Sequence, residues 1–125
     1  MNLKNLFLIN AIIALFFGAV FVLMPEDTLA QYGVKLVPKG AILVARLFGS
    51  ALLGLAIITW FARSFSRDVQ QDIILGLFVL DGVGFVVTLL AQLDGAVNSL
   101  GWTTVAIYLL LTLGFGYFRF LKTKG

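Results

Sequence analysis

Two charged side chains interrupt apolar stretches that are otherwise long enough to cross a membrane. Arg46 lies inside the stretch 40–62, and Asp81 lies near the middle of the stretch 72–93. A charge at such a depth costs at least ~2.5–3.5 kcal/mol, so it must find a partner, reach water or be neutralised. Three kinds of chemistry would meet that requirement: an ion pair, a proton or cation site, or the polar wall of a binding cavity.

The spacing of these two residues predicts that they pair. Asp81 comes 15 residues after Ser66, in the turn between the two stretches, and Arg46 comes 20 residues before it. The axial offset between them is then about 7 Å, which an arginine side chain can span. We expect either a structural pair that fixes which helix faces meet, or the floor of a site.

Each apolar stretch also carries polar residues at helical spacing, and such residues face the other helices of a membrane bundle. The candidate ligand-binding residues are Asn10 in the first stretch, Arg46 and Ser50 in the second, Asp81, Thr88 and Gln92 in the third, and Thr104 and Tyr108 in the fourth. For the hydroxyl groups the alternative is packing. Serine and threonine commonly hydrogen-bond between membrane helices, contributing about 0.6 kcal/mol each.

The composition places these residues in a membrane protein. Of the 125 residues, 61% are hydrophobic and 12% are charged, and the mean hydropathy is +1.06. A soluble domain of this size cannot bury so much apolar surface, whereas a bilayer solvates it. The sequence contains neither cysteine nor histidine. This excludes disulfides, thiolate or imidazole metal sites and Cys or His nucleophiles, and we expect no cofactor.

Four stretches have the length of a membrane-spanning helix, about 20 residues. The predicted spans cover residues 5–24, 40–62, 71–93 and 102–121. The short connections predict an all-α, antiparallel up-down-up-down four-helix bundle, with sequential helices as neighbours and residues 1–125 as a single transmembrane domain. Small residues predict close helix contacts at Ala14/Gly18, Ala45/Gly49 and Ser50/Gly54.

The first connection predicts a short helix on the membrane surface. Pro25 ends the first span. The segment 26–32 begins with two acidic residues, which suit a helix start, and Gly33 suits a helix end. We expect Leu29 and Tyr32 to face the membrane interface, where tyrosine is favoured.

Basic residues predict the orientation. With four spans, both termini lie on the same side of the membrane, together with Lys4, Arg63, Arg67, Arg119, Lys122 and Lys124, whereas the other side holds Lys35 and Lys39. Six against two predicts an inner (plasma) membrane protein with both termini in the cytoplasm. Most of the candidate residues then lie in the outer half, which predicts an outward-facing pocket beneath the first connection. Cations that flank spans bind lipid headgroups, so the bilayer is the expected partner and nucleic acid is not.

Short motifs between residues 25 and 63 add a resemblance. They are Pro25, Tyr32-Gly33, Ala45-Arg46-Leu47-Phe48-Gly49, Leu52-Leu53-Gly54, Trp60 and Arg63. This pattern resembles small, uncharacterised four-span bacterial membrane proteins that are loosely grouped with DoxX-like proteins. The resemblance implies a four-helix membrane bundle, and it implies no established activity.

Three functions are compatible with these features. In the first, the protein binds a lipidic or apolar small molecule in the pocket, or it is an accessory subunit of a larger membrane complex. Its expected protein partners are then a second copy of the chain or that larger complex. Alternatively, it is a small proton- or cation-coupled transporter or channel that uses Asp81. The third function, an enzyme, is disfavoured. In a sequence without histidine or cysteine, acid–base chemistry would depend on Asp81 alone, helped by Arg46 and Tyr108. The apolar segment 73–78 favours a one-sided pocket, and therefore binding.

Overall fold

The computed structural model describes residues 2–122, which form helices and no strand. The four long helices are α1 (Leu3–Leu23), α3 (Lys39–Ala62), α4 (Arg67–Leu93) and α5 (Gly101–Gly116), and a π-helical turn, Tyr117–Leu121, continues α5. A short helix, α2 (Pro25–Gln31), connects α1 to α3. The predicted all-α bundle is confirmed. Lys124, which was counted in the orientation, lies outside the described residues.

Each long helix, with the π-helical turn included in the last, is long and apolar enough to cross a membrane. Their outer faces expose large apolar side chains along the whole bundle, including Phe16, Leu43, Val87 and Leu110. Water would not tolerate so wide an apolar surface, whereas lipid does. The chain is therefore a multi-pass membrane protein.

The ends of the helices follow from local chemistry. Asn2 caps α1, since its Oδ1 accepts a hydrogen bond from the backbone N–H of Asn5 at 2.9 Å. Helix α4 begins four residues before the predicted start at 71, because Ser66 Oγ accepts from the N–H of Val69 at 3.5 Å and so caps an additional turn. Pro25 occupies the first turn of α2, where a missing N–H does no harm.

The long helices pack as two antiparallel pairs, α1 with α3 and α4 with α5. In the first pair the backbones nearly touch, and a Cβ added to Gly49 would lie 2.8 Å from the carbonyl oxygen of Gly18. The predicted contacts at Ala14/Gly18 and Ala45/Gly49 are confirmed, because all four residues are buried. The prediction for Ser50/Gly54 is wrong, because both residues are exposed.

The two pairs meet at the end of the bundle that holds the termini. Their shared core consists of Leu6, Phe7, Ala62, Ile74, Leu77, Leu111, Phe115 and Phe118. Elsewhere α3 and α4 approach each other sparsely although a tight turn joins them, so helices adjacent in sequence are not all close packing neighbours. Toward the opposite end, the space between the pairs is a cavity.

Helix α2 bridges the two pairs at that opposite end. It ends at Gln31, and Gly33 occupies the predicted position just after the cap residue Tyr32, with a φ of 88° in the left-handed region. Thr28 Oγ1 donates to the Val20 carbonyl of α1 at 3.1 Å. In the α4–α5 turn, Asn98 donates from its backbone N–H to Tyr32 O at 2.8 Å and from Nδ2 to Gln31 O at 2.9 Å. These bonds attach the end of α2 to the second helix pair.

Candidate functional site

A cavity of about 270 Å³ lies between the helix pairs, beneath α2. Its apolar wall includes residues from all five helices, among them Phe17 and Phe21 of α1, Leu29 of α2, Phe48 and Leu52 of α3, Ala91 of α4 and Ile107 of α5. The predicted pocket beneath the first connection is therefore present. The side of the membrane on which it opens stays a prediction.

Six polar residues contribute to the cavity wall. Five of them are candidates from the sequence, Asn10, Asp81, Thr88, Thr104 and Tyr108, and the sixth is Tyr32. Helical periodicity thus predicted correctly that most of the candidate residues, five of eight, lie around one cavity.

Tyr32 and Leu29 were expected at the membrane interface, and that expectation is wrong. Both line the cavity, and the hydroxyl of Tyr32 lies 2.8 Å from Thr104 Oγ1 on α5. The bonds from Asn98 hold the end of α2 over the space between the pairs, so this side of α2 faces inward. The sequence places Leu29 and Tyr32 three positions apart on one face of a helix, and this pattern alone does not distinguish the membrane interface from the interior of the bundle.

The prediction that Arg46 pairs with Asp81 is also wrong. Arg46 is exposed on α3, and its Nε donates to the Val22 carbonyl of α1 at 3.3 Å. The last carbonyls of a helix lack partners within that helix, and a cation is favourable at this end of the helix dipole. Arg46 therefore caps the carboxyl end of α1 rather than reaching across to α4.

Ser50 and Gln92 likewise do not line the cavity. Ser50 is exposed, and its Oγ donates to Leu47 O in its own helix at 2.9 Å. Gln92 Nε2 donates to Asn98 O at 3.0 Å, which fixes the α4–α5 turn. Their roles in the structure are local: one hydroxyl returns its bond to the helix backbone, and one amide holds a turn.

Most of the polar wall residues already have partners. Asn10 Nδ2 donates to Thr59 Oγ1 across α1 and α3 at 3.4 Å, and Thr88 Oγ1 donates to Gly84 O at 2.8 Å. Tyr32 and Thr104 bond to each other, as described above. These groups orient the helices and α2, which agrees with the packing role considered for them from the sequence.

Asp81 is different. Its side chain is 3% exposed, and Oδ2 has no hydrogen-bond partner among the described residues. Nearly all buried polar groups in proteins are hydrogen-bonded, so an exception requires an explanation. Asp81 therefore places an unsatisfied carboxyl group in the wall of an apolar cavity.

The ring of Tyr108 packs against α4 at Gly84, about one helical turn from Asp81. A Cβ added to Gly84 would lie 2.5 Å from Tyr108 Cε1, so the absence of a side chain at Gly84 is what permits this approach. Tyr108 and Asp81 both line the cavity. Together they form a polar and aromatic patch on its α4–α5 side.

Residues 1–120 match the family described as "Domain of unknown function (DUF8292)". The chain belongs to this family. Comparisons with curated proteins and with solved structures found no match. Membership of the DUF8292 family supplies no activity, so the function of the protein has to be argued from its cavity.

Proposed function

We propose that this DUF8292 protein binds a lipidic or other apolar small molecule in the cavity beneath α2. The observation that carries the proposal is the cavity of about 270 Å³ within a bundle of only four long helices. Binding sites for small molecules are typically apolar spaces with a few polar groups that orient the ligand. The apolar wall and the group around Asp81 have that character.

The free-energy cost of an empty apolar cavity supports the proposal that this one is occupied. Protein interiors are close-packed, and each Å³ of empty apolar cavity costs about 24 cal/mol. An empty space of this size would weaken the bundle by several kcal/mol. A ligand or a lipid chain from the surrounding bilayer would recover much of that loss by restoring contacts with the wall.

The opposite end of the bundle supports binding over transport. A transporter or channel that uses Asp81 needs a route to both sides of the membrane. Beyond the cavity, however, Phe7, Thr59, Ile74 and Phe115 are fully buried. This core would have to open before a solute could pass, whereas binding from one side requires no such change.

The proposal includes the bacterial plasma membrane and its outer side. The resemblance of residues 25–63 to DoxX-like bacterial proteins supports the first, and the bias of Lys and Arg supports the second. The cavity end carries Lys35 and Lys39, and the closed end carries Arg63 and Arg67. With both termini cytoplasmic, an apolar ligand would enter from the outer half of the bilayer.

Filling the cavity tests the proposal. Ala91 lines the cavity, so Ala91→Phe should occupy part of it. Ala106 is exposed on α5, so Ala106→Phe adds the same side chain on the lipid face. Pentylbenzene serves as the apolar probe, and thermal unfolding in detergent serves as the measurement, since a ligand that binds the folded state raises its stability.

We expect pentylbenzene to raise the unfolding temperature of the wild type and of Ala106→Phe, and to have little effect on Ala91→Phe. Because the two variants carry the same added ring, a difference between them reports on the cavity and not on a change in the detergent. Equal shifts in all three proteins would show that the probe acts outside the cavity and would reject the proposed site.

A further inference from the structure

We infer that the ligand of this cavity is an apolar amine whose ammonium group is bound by Asp81. This inference rests on the proposed binding function and makes its ligand class specific. It combines three observations: an unsatisfied buried carboxyl, the absence of a counter-charge from the described residues of the wall, and an aromatic lining.

The carboxyl group of Asp81 requires a donor. Its side chain is 3% exposed and lines the cavity, and Oδ2 has no partner among residues 2–122. Leaving a buried acceptor unsatisfied is unfavourable, and an uncompensated buried charge is more so. A ligand with a hydrogen-bond donor would remove this penalty, which makes the carboxyl a recognition point rather than a packing group.

Residues 2–122 supply no cation at this position. Arg46, the basic residue nearest in sequence to the wall residues of α3, is exposed and donates to Val22 O. The wall residues of the described chain include neither lysine nor arginine. Three of the wall hydroxyls are engaged, since Thr88 bonds to Gly84 O and Tyr32 bonds to Thr104, and the hydroxyl of Tyr108 is a neutral group that brings no positive charge. An ammonium group on the ligand would therefore supply the counter-charge that the described wall residues do not supply.

Aromatic rings favour the same group. Phe17, Phe21, Phe48, Tyr32 and Tyr108 all line the cavity. A cation near the face of an aromatic ring is attracted by the ring, and the attraction is stronger in desolvated sites. A protonated amine combines this attraction with a charge-assisted N–H···O bond to the carboxylate. The volume of about 270 Å³ suits a single apolar group attached to that amine better than a diacyl lipid.

Three probes that share an apolar body separate the contributions of charge and hydrogen bonding. They are 4-phenylbutylamine, which is a cationic donor, 4-phenylbutan-1-ol, which is a neutral donor, and pentylbenzene, which has no polar group. Their affinities for the detergent-solubilised full chain are measured by calorimetry. The same titrations are repeated on Asp81→Asn and on the control Asp72→Asn, which neutralises an exposed acid on the same helix.

We expect the wild type and Asp72→Asn to bind the amine at least about tenfold (about 1.4 kcal/mol) more tightly than the alcohol, because both can donate a hydrogen bond to the carboxylate and only the amine adds the attraction of a positive charge to the carboxylate and the aromatic rings. Asp81→Asn should lose this preference and still bind pentylbenzene. Equal affinity of the wild type for amine and alcohol would overturn the inference, and so would a preference that survives in Asp81→Asn.

Binding of pentylbenzene shows whether a negative result concerns the inferred amine ligand or the proposed binding function itself. If pentylbenzene binds and the amine has no advantage, the cavity binds apolar molecules without Asp81. If none of the three binds the wild type, the proposed function fails as well. The comparison within the wild type needs no variant, so it stands even if Asp81→Asn does not fold.

An ammonium group is also present on ethanolamine lipids. The amine titration is therefore repeated in nanodiscs that contain a fixed fraction of phosphatidylglycerol, with either phosphatidylethanolamine or phosphatidylcholine as the remainder, so that the surface charge is the same in both. Weaker amine binding in the presence of phosphatidylethanolamine would assign the ammonium to a lipid headgroup, and unchanged binding would assign it to a free amine. Either result retains Asp81 as the group that binds it.

Discussion

At the scale of single residues, the buried polar side chains divide into two kinds. Among the described residues these side chains are Asn10, Thr59 and Asp81. Asn10 and Thr59 bond to each other and so join α1 to α3. Asp81 leaves one carboxyl oxygen without a partner. A buried polar group that lowers the stability of the fold, as the Asp81 carboxyl does, is typical of a functional position, since activity and stability often conflict.

This division predicts an unusual sign for a substitution at Asp81. Asp81→Leu should raise the free energy of unfolding by about 1–3 kcal/mol, because it removes an unsatisfied buried polar group and fills apolar space. Asn10→Leu should lower it by about 1 kcal/mol, because it breaks a satisfied bond between helices. Equilibrium unfolding in mixed detergent micelles measures both. A less stable Asp81→Leu would mean that the carboxyl has a partner in the folded protein.

Periodicity could predict which residues share a face of a helix, and it could not predict which face turns inward. Helix α3 shows the difference. Ala45 and Gly49 form one stripe, and Arg46 and Ser50 form another that is rotated by about 100°. Both stripes are plausible packing faces. The stripe of small residues faces α1 because it lets two backbones touch, and this rotation turns Arg46 away from Asp81.

At the scale of elements, length and hydropathy were sufficient to predict the four long helices, and Pro25, the acidic residues that follow it and Gly33 predicted α2. Which of the sequential helices pack closely was not predictable from the sequence, because the contact between Gly18 and Gly49 depends on two positions that are 31 residues apart. The position of α2 over the cavity was also not predictable from the sequence. It depends on Asn98, a turn residue whose bonds to Gln31 and Tyr32 have no signal in the local pattern.

Glycines at and away from the α1–α3 contact provide a test of this packing. Gly49→Ala should lower the free energy of unfolding by about 1–3 kcal/mol, because its Cβ would collide with the backbone of α1. Gly54→Ala lies on the same helix in open space. It should raise stability by up to about 1 kcal/mol, since alanine restricts the unfolded chain. Similar effects of the two substitutions in thermal unfolding would contradict the pairing of α1 with α3.

The side chain of Asn98 provides a test of how α2 is held. Asn98→Ala removes its bonds to Gln31 O and to the N–H of Leu100. We expect a loss of about 1 kcal/mol in the local stability of α2, seen as amide hydrogen exchange about fivefold faster in residues 25–33. Exchange at Phe7 and Ile74 in the core should not change. Ser99→Ala, at the next exposed position, is the matched control, and equal acceleration by both variants would show that Asn98 is not the specific attachment.

At the scale of the whole molecule, the bundle has two unlike ends. One end holds the termini and a packed core shared by both helix pairs. The other end holds the cavity, covered by α2. This asymmetry makes the orientation in the membrane a functional question, because it decides from which side a ligand reaches Asp81. The distribution of Lys and Arg predicts that the cavity end faces outward.

The lack of native cysteine makes that orientation directly measurable, since single-cysteine variants need no altered background. Leu36 is 90% exposed in the connection at the cavity end, and Ser64 is exposed in the turn at the closed end. In intact cells of a bacterial host, a membrane-impermeant maleimide should label Leu36→Cys and should leave Ser64→Cys unlabelled. After the cells are permeabilised, both variants should react, which controls for accessibility of the thiols. The reverse pattern would place the cavity on the cytoplasmic side. An apolar amine would then reach Asp81 from the inner half of the bilayer, and the six-to-two excess of basic residues would have failed as a guide to topology in this chain.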